Sequence, residues 1–462
     1  MKKIFLLFIL IFHTTLYAQD FSELQQKAQS GDADAQYEMG MKYHYGNKVE
    51  QDDKKAIEWF QKSAEQDNSD AQYMLGSLYY EGKGTLKDTK KAIKWLKKSA
   101  KQNNPKAQMI LGLIYYFDDN NEGIFSKKKS ALKLFMKSAD AGITNAFFYA
   151  GKMYFSGMGT KVNYKEAFYY LNKFLHLNDT KTKEQNENDN LLQQTWYMLG
   201  KMYKDGLGVE KDYKKAFELL QKSVQKNNAN AQFELAMMYF NGEGVQKDFT
   251  RAFSYFEASA RQGHENAQYL LGYLYSTESG NVEFVNQKRS FYWYKKCAEQ
   301  GNKDAQLELA KIYSQGKGIP VDKKKAIRWL EKSARQEQVD AQFILAMKFL
   351  MGDGVLVDKK KALYWFKQAA KHGKTEAQYN LALMYKKGDG IKKNPKKALH
   401  WFKKAADNND ASAQHQLGLM YYLGEGTSTN YKKAAYWVKK AYNNGYKDAE
   451  KTWNELELWK YQ

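Results

Sequence analysis

The sequence predicts an all-α chain, an α/α superhelical solenoid of about eleven helix-turn-helix repeats with a helical cap at each end. Three observations carry this. A phrase recurs: a small residue, Gln, an aromatic, any residue, Leu or Met, Gly or Ala, then Tyr three later. It begins at Ala35, Ala71, Ala107, Ala146, Thr195, Ala231, Ala267, Ala305, Ala341, Ala377 and Ala413, with a degenerate twelfth copy at Ala449. The spacing is 36 residues at eight of the eleven steps, and the register recovers after the steps of 39, 49 and 38. A fixed period of this length marks a stacked repeat architecture. The second observation is a glycine pair after most copies, and the third is an Asp or Asn at one fixed register further on.

The copy at Ala71 shows why each half is a helix. Ala71, Leu75, Gly76 and Tyr79 fall on one face at helical spacing. Ala71 and Gly76 are small enough for a second helix to come close. Gly82-Lys83-Gly84 then ends the first helix and reverses the chain. The pair recurs from Gly157/Gly159 to Gly424/Gly426. It is not a phosphate loop, because no strand precedes it and it returns in ordinary repeats. The second helix starts at Asp52, Asp88, Asn163, Asp212, Asp248, Asn286, Asp322, Asp358, Asn394 or Asn430; only the third repeat departs, with Lys127. A side-chain oxygen at that place accepts from the free amides of a first helical turn. The pairs Ala56/Trp59, Ala92/Trp95, Ala326/Trp329, Ala362/Trp365, Ala398/Trp401 and Ala434/Trp437 are expected in the core, and the Lys-Lys pairs before each Ala on the solvated side.

The ends and composition set the frame. Lys2 and Lys3, the apolar run Ile4 to Phe12 and Leu16-Tyr17-Ala18 read as a signal peptide over 1–19, cut near Ala18. No later stretch approaches the ~18 continuous apolar residues of a membrane helix. The expected location is therefore periplasmic or secreted, with no transmembrane segment in the mature chain. An N-terminal capping helix is expected over 20–34, repeats over 35–446, and a C-terminal capping helix over 447–462. Insertions fall near 118–126, 178–190 and 277–287. Three Pro in 462 residues suit a nearly all-helical chain, and the lone Cys297, in a second helix, allows no internal disulfide. It reads as a buried small hydrophobe. The net charge of +21 favours acidic partners. Export argues against nucleic acid, leaving proteins with an acidic surface, or anionic envelope glycan.

Together, Ala-Gln-Tyr-x-Leu-Gly-x-x-Tyr, Gly-x-Gly-Val and Asp-x-x-Lys-Ala-x-x-Trp-x-x-Lys-Ala-Ala resemble the Sel-1-like repeat, a relative of the tetratricopeptide repeat. The fullest matches are Ala305 to Ala334, Ala377 to Ala406 and Ala231 to Ala260. The resemblance implies an adaptor in membrane, periplasmic or signalling complexes. Exported bacterial members resemble factors for envelope assembly, host interaction or control of peptidoglycan enzymes. A cysteine-rich exported branch pairs a Cys across each helix pair. This chain lacks those cysteines, so penicillin-binding or β-lactamase activity is not carried over.

No catalytic, cofactor or metal residue is assigned. Seven His are scattered, without HExxH or zinc spacing. Ser-x-x-Lys occurs at Ser130, Ser223 and Ser314 without its Ser-Asp-Asn and Lys-Thr-Gly partners. The expectation is a non-enzymatic scaffold, with a peptidoglycan- or β-lactam-acting enzyme, or a regulator of one, as the alternative. First helices line the concave face of such a solenoid. Positions three, six, nine and ten after the repeat's Ala point away from the core. They include Tyr80, Phe117, Tyr149, Lys152, Phe155, Lys201, Lys204, Phe240 and Tyr273, the candidate partner-binding residues. The same residues have a second reading, packing against the next repeat's first helix. Envelope assembly or regulation is the expected setting, with a secreted host-interaction factor as the alternative.

Overall fold

A computed structural model describes residues 21–118, 124–179, 189–276 and 285–462. The described residues form helices and turns, with no strand. They fall into two compact units. The first holds α1 (21–29), α2 (Ala33–Tyr45), α3 (Asp53–Glu65), α4 (Ser69–Glu81), α5 (Thr89–Lys101), α6 (Pro105–Phe117), α7 (Ile124–Asp140), α8 (Thr144–Ser156), α9 (Tyr164–Asp179), α10 (Asp189–Asp205), α11 (Tyr213–Gln225) and α12 (Ala229–Asn241). The second holds α13 (Phe249–Arg261), α14 (Glu265–Leu274), α15 (Gln287–Glu299), α16 (Lys303–Gln315), α17 (Lys323–Arg335), α18 (Val339–Met351), α19 (Lys359–Lys371), α20 (Thr375–Lys387), α21 (Pro395–Asp407), α22 (Ala411–Leu423), α23 (Tyr431–Asn443) and α24 (Lys447–Glu455). Even-numbered helices are the first, or A, helices of the repeats, and odd-numbered ones the second, or B, helices.

Local chemistry fixes each pair. In α4 the Asn68 side chain accepts from Ala71 N, and Gly82 ends the helix at φ +75° while its N–H donates to Leu78 O. The loop is tied back where Asp88 N donates to Tyr79 O at 2.8 Å. The Asp88 carboxylate then accepts from Lys91 N to open α5. Each such cap contributes about 1 kcal/mol. The same capping bond forms at Asp52, Asn163, Asp212, Asn286, Asp322, Asp358, Asn394 and Asn430. A Cβ on Gly76 would sit 2.7 Å from Leu96 Cγ, so this glycine sets how closely A and B pack. The second turn glycine has a different duty. Gly84, at φ +67°, lies so near the start of α3 that a Cβ would meet the Asp53 carbonyl carbon at 2.5 Å.

The structure moves the centre of the B-helix core by one residue. The fully buried side chains are those after the tryptophan register: Phe60, Leu96, Phe135, Leu171 and Leu220 in the first unit, and Phe366, Phe402 and Val438 in the second. Trp95 and Trp437 are buried. Trp59, Trp329, Trp365 and Trp401, expected in the core, are half-buried instead. They pack against the core clusters without being enclosed by them. Lys62, Lys332 and Lys404 lie over Trp59, Trp329 and Trp401 at 4.3, 4.1 and 5.1 Å. The second lysine of each Lys-Lys pair is not simply solvated. Lys91 lies over Tyr79 at 5.2 Å, and Lys55, Lys215, Lys325, Lys397 and Lys433 repeat the contact on their own tyrosines.

Four residues beyond the Trp register, a serine ties the B helix back to its own A helix. Ser63, Ser99, Ser138, Ser223 and Ser333 donate to the carbonyls of Ala33, Ser69, Pro105, Gln193 and Lys303 at 2.6–2.8 Å. Cys297 stands at this register, buried, with Sγ 3.6 Å from Glu265 O.

At the N-terminal end α1 takes a B-helix place: Gln36 Nε2 donates to Ala28 O at 3.1 Å, as Gln72 Nε2 does to Ala64 O. At the other end the expected helix over 447–462 stops at Glu455. Glu457 takes φ +46°, and a 3-10 turn, Leu458–Tyr461, folds Leu458 into the core. The expected insertions are shorter at their described edges. Residues 124–126 belong to α7, and 189–190 to α10. Asn178 is buried in α9 with its amide donating to Phe174 O at 2.8 Å. Residues 119–123, 180–188 and 277–284 of the insertions, and the expected leader over 1–19, lie outside the described residues.

Burial pushes the Cys297 thiol from an ordinary 9.0 up to about 12. Thiolate is the reactive form, so maleimide labelling near neutral pH should be about a thousandfold slower in the folded chain than in guanidinium. Equal rates in the two states would show that Cys297 is not held at the serine register.

Candidate partner-binding surface

In the first unit successive A helices touch, α4 with α6, α8 with α10 and α10 with α12, while the B helices stand further apart. Residues that face neighbouring A helices therefore decide what this side offers. Three of the sequence-selected residues are brought together on α6 and α8. Phe117 is exposed and packs edge-to-face on Tyr116 at 4.9 Å. Tyr116 meets Tyr149 at 5.4 Å, and Tyr149 stacks on Phe135 at 5.1 Å and meets Phe148 edge-on. Lys152 lies over the Phe148 ring at 5.7 Å and donates to Gln194 Oε1 at 2.9 Å.

Lys152 is half-buried and has no carboxylate partner among the described residues. Burial lowers its pKa below the usual lysine range. Tyr149 is correspondingly less available than expected. It is half-buried, and burial raises its phenol pKa.

Lys201 and Lys204 are also brought together, but not as free cations. Glu234, on α12, is buried and accepts from both. Lys201 Nζ is 2.5 Å from Glu234 Oε1 and 3.0 Å from Asp205 Oδ2. Lys204, selected as pointing away from the core, is buried. The correction has a physical cause: position nine of one A helix faces position three of the next, and here that position is an acid. Burial works against charge on Lys201, but Glu234 and Asp205 outweigh it and raise its pKa. Burial, then the charge of Glu234, pushes the Tyr197 phenol up to about 12.

The remaining candidates lie apart. Tyr80 is half-buried beneath Lys87 at 4.8 Å, Phe155 is half-buried and meets Tyr164 at 5.7 Å, and Phe240 is half-buried. Tyr273 lies in the second unit and is 39 % exposed. Tyr116 and Glu234 join these groups without being among the sequence candidates, although both hold registers, nine and three, that point outward by helical angle. The Ser-x-x-Lys serines have structural uses: Ser130 donates to Ser126 O, Ser223 to Gln193 O, and Ser314 lies 3.3 Å from Lys348 Nζ. Among the described residues no cluster of His, Cys, Asp and Glu could hold a metal ion. No described helix is long and apolar enough to cross a membrane.

The Sel1 repeat matches eleven times, over 33–68, 69–104, 105–143, 146–179, 197–228, 229–264, 266–302, 303–337, 339–374, 375–410 and 411–446. The chain belongs to the Sel1-repeat family. The crystal structure of c5321, a protective antigen present in uropathogenic Escherichia coli strains and displaying an SLR fold, is 33% identical. That match covers 96% of this chain and 90% of the other at a TM-score of 0.56. A Sel1 repeat protein from Oxalobacter formigenes is 24% identical over 79% of this chain and 90% of its own, at a TM-score of 0.36. The secretory immunoglobulin A-binding protein EsiB of Escherichia coli O6:H1 is 39% identical over 56 residues, 12% of this Sel1-repeat chain. The chain thus spans about a tenth of EsiB, 11% of its length. Sel1 repeats generally serve as non-enzymatic scaffolds for protein interaction.

The buried Glu234 gives this surface a measurable property. Removing one member of a buried ion pair strands its partners, at a cost of about 3 kcal/mol. Glu234→Leu should lower stability by that order in a denaturant melt, and adding Lys204→Met should restore much of it. A single variant as stable as the parent chain would place the two lysines in water.

Proposed function

We propose that the chain is an exported scaffold that holds a protein partner on the A-helix side of its repeats. The observation that carries this is Lys152: a half-buried ammonium set against Phe148 and the Tyr149 group, with no carboxylate partner among the described residues. Desolvated charge is costly unless paired, and a partner's carboxylate supplies the pair. Exposed Phe117 beside it offers apolar contact area. Aromatic residues with a central cation suit a partner bearing acidic and apolar groups. Export rests on the signal-like leader over 1–19.

Envelope assembly or regulation is one setting for such a scaffold. A host-facing setting has a specific observation in its favour, the 33% identity over 96% of the chain to a protective antigen of uropathogenic strains. The name of EsiB makes secretory immunoglobulin A the first protein to try. Immobilised mature chain is expected to bind one purified partner, secretory immunoglobulin A or an envelope protein recovered from periplasm. Phe117→Ser, Tyr149→Ser and Lys152→Glu together should weaken that binding about tenfold or more. Undiminished binding by the triple variant would remove the A-helix side as the site. Binding to the immunoglobulin, or to the envelope protein alone, chooses between the settings.

A further inference from the structure

The register of the repeats exposes a second surface, on the B-helix side of the first unit. In nine of the eleven B helices an aromatic stands at one place, three residues after the Ala register; Leu134 and Leu219 stand there in the third and fifth, and the fifth keeps its lysine, Lys215, before the Ala. In the second repeat Trp95 fills this place, within one apolar cluster that also contains Ala64, Leu75 and Tyr79. Lys98 lies over the Trp95 ring at 4.8 Å, and Lys91 covers Tyr79. In the third repeat two substitutions remove this closure. Leu134 stands in place of the tryptophan, and Ser130 in place of the covering lysine.

The consequence is an open groove of about 480 Å³ between α5 and α7, with α6 as its floor. Its apolar lining is Ala100, Leu111, Tyr115 and Leu134, the first three being the register equivalents of Ala64, Leu75 and Tyr79. Tyr115 is half-buried, whereas Tyr79 is buried.

The rim is cationic. Lys97, Lys101, Lys133 and Lys137 line the groove, and among the described residues no carboxylate does. Where Lys97 and Lys101 stand here, the preceding repeat has Gln61 and Glu65. Helix α5 carries six lysines and no acid; α7 carries five, with Asp140 as its last residue. Like charges this close repel one another unless an anion joins them.

We infer that this groove is a docking site for a segment of a partner protein that inserts one tryptophan flanked by Asp or Glu. The indole takes the place that the chain's own tryptophans take elsewhere, on Tyr115 and Leu111 and beneath a lysine. The flanking carboxylates pair with the four rim lysines. The site lies on the opposite layer from the surface of the proposed function and does not depend on it.

The test uses the full mature chain and a fluorescein-labelled peptide with a single Trp between Asp and Glu residues, followed by anisotropy. A version with Ala for Trp and a version with Lys for the acids serve as probes. The acidic Trp peptide should bind, and binding should weaken as salt is raised. Leu134→Trp fills the groove from within and should weaken binding about tenfold or more, with a melting temperature no lower than the parent's. Lys97→Glu with Lys133→Glu, on exposed positions, should do the same without touching the floor. Either control peptide should bind about tenfold or more weakly. The inference is overturned if the acidic Trp peptide does not bind, if the Ala peptide binds equally well, or if both variants bind it as the parent does.

Discussion

A buried carboxamide that recurs in most A helices is the contact on which the stack depends. Gln72 donates from Nε2 to Ala64 O, on the previous repeat's B helix, at 3.1 Å. Its Oε1 accepts from Gln102, at the end of its own repeat's B helix, at 3.0 Å. Three helices are thereby fixed by one side chain. Gln36, Gln268, Gln306, Gln342, Gln378 and Gln414 repeat the donation, to Ala28, Ala260, Ala298, Ala334, Ala370 and Ala406. Their acceptor oxygens are met by Gln66, Gln300, Gln336, His372, Asn408 and Asn444. Apolar contact is non-directional and would tolerate sliding between pairs. A buried amide with two different ends does not, because leaving either end unpaired costs about 1–3 kcal/mol.

The glutamine itself is missing in two repeats, and the departures gather there. Phe147 and Trp196 stand in place of the glutamine, and the Trp196 indole N–H is buried without a partner among the described residues. These repeats precede and follow the 49-residue step. Lys152 and the Lys201–Lys204–Glu234 group sit in or against them. Where the repeated polar contact is given up, polar and aromatic residues specific to one repeat occupy the A layer. The α5–α7 groove follows the same logic on the B layer, since it too arises from a lapse in register, Leu134 for tryptophan.

Much of the fold was legible because its signals are local. Asp88 as a cap, Gly82 as a stop and Gly76 as a close-approach residue each act within their own helix pair. Family membership followed from their combination. The side chains that couple one pair to the next were harder to read. Gln72 is part of the recurring phrase, yet nothing in the sequence says that a polar residue points into the core. Lys204 looked outward by helical angle alone, and only the acid thirty residues later turns it inward. The tryptophans were placed one residue too deep because Trp59 and Phe60 are adjacent, and helical spacing does not say which of two large neighbours the core takes. The Leu134 groove could have been suspected from the sequence, since the third repeat alone lacks both an aromatic at the tryptophan place and a lysine or arginine before the Ala.

Hydrogen exchange on Gln72→Leu tests the central claim most directly. Leucine keeps the volume and removes both hydrogen bonds. If the carboxamide locks successive pairs, amides of α3 to α6 should open more easily by about 1–3 kcal/mol, while those of α20 to α23 keep their protection. Unchanged protection in α3 to α6 would contradict the account and leave apolar packing alone as what holds the repeats in register.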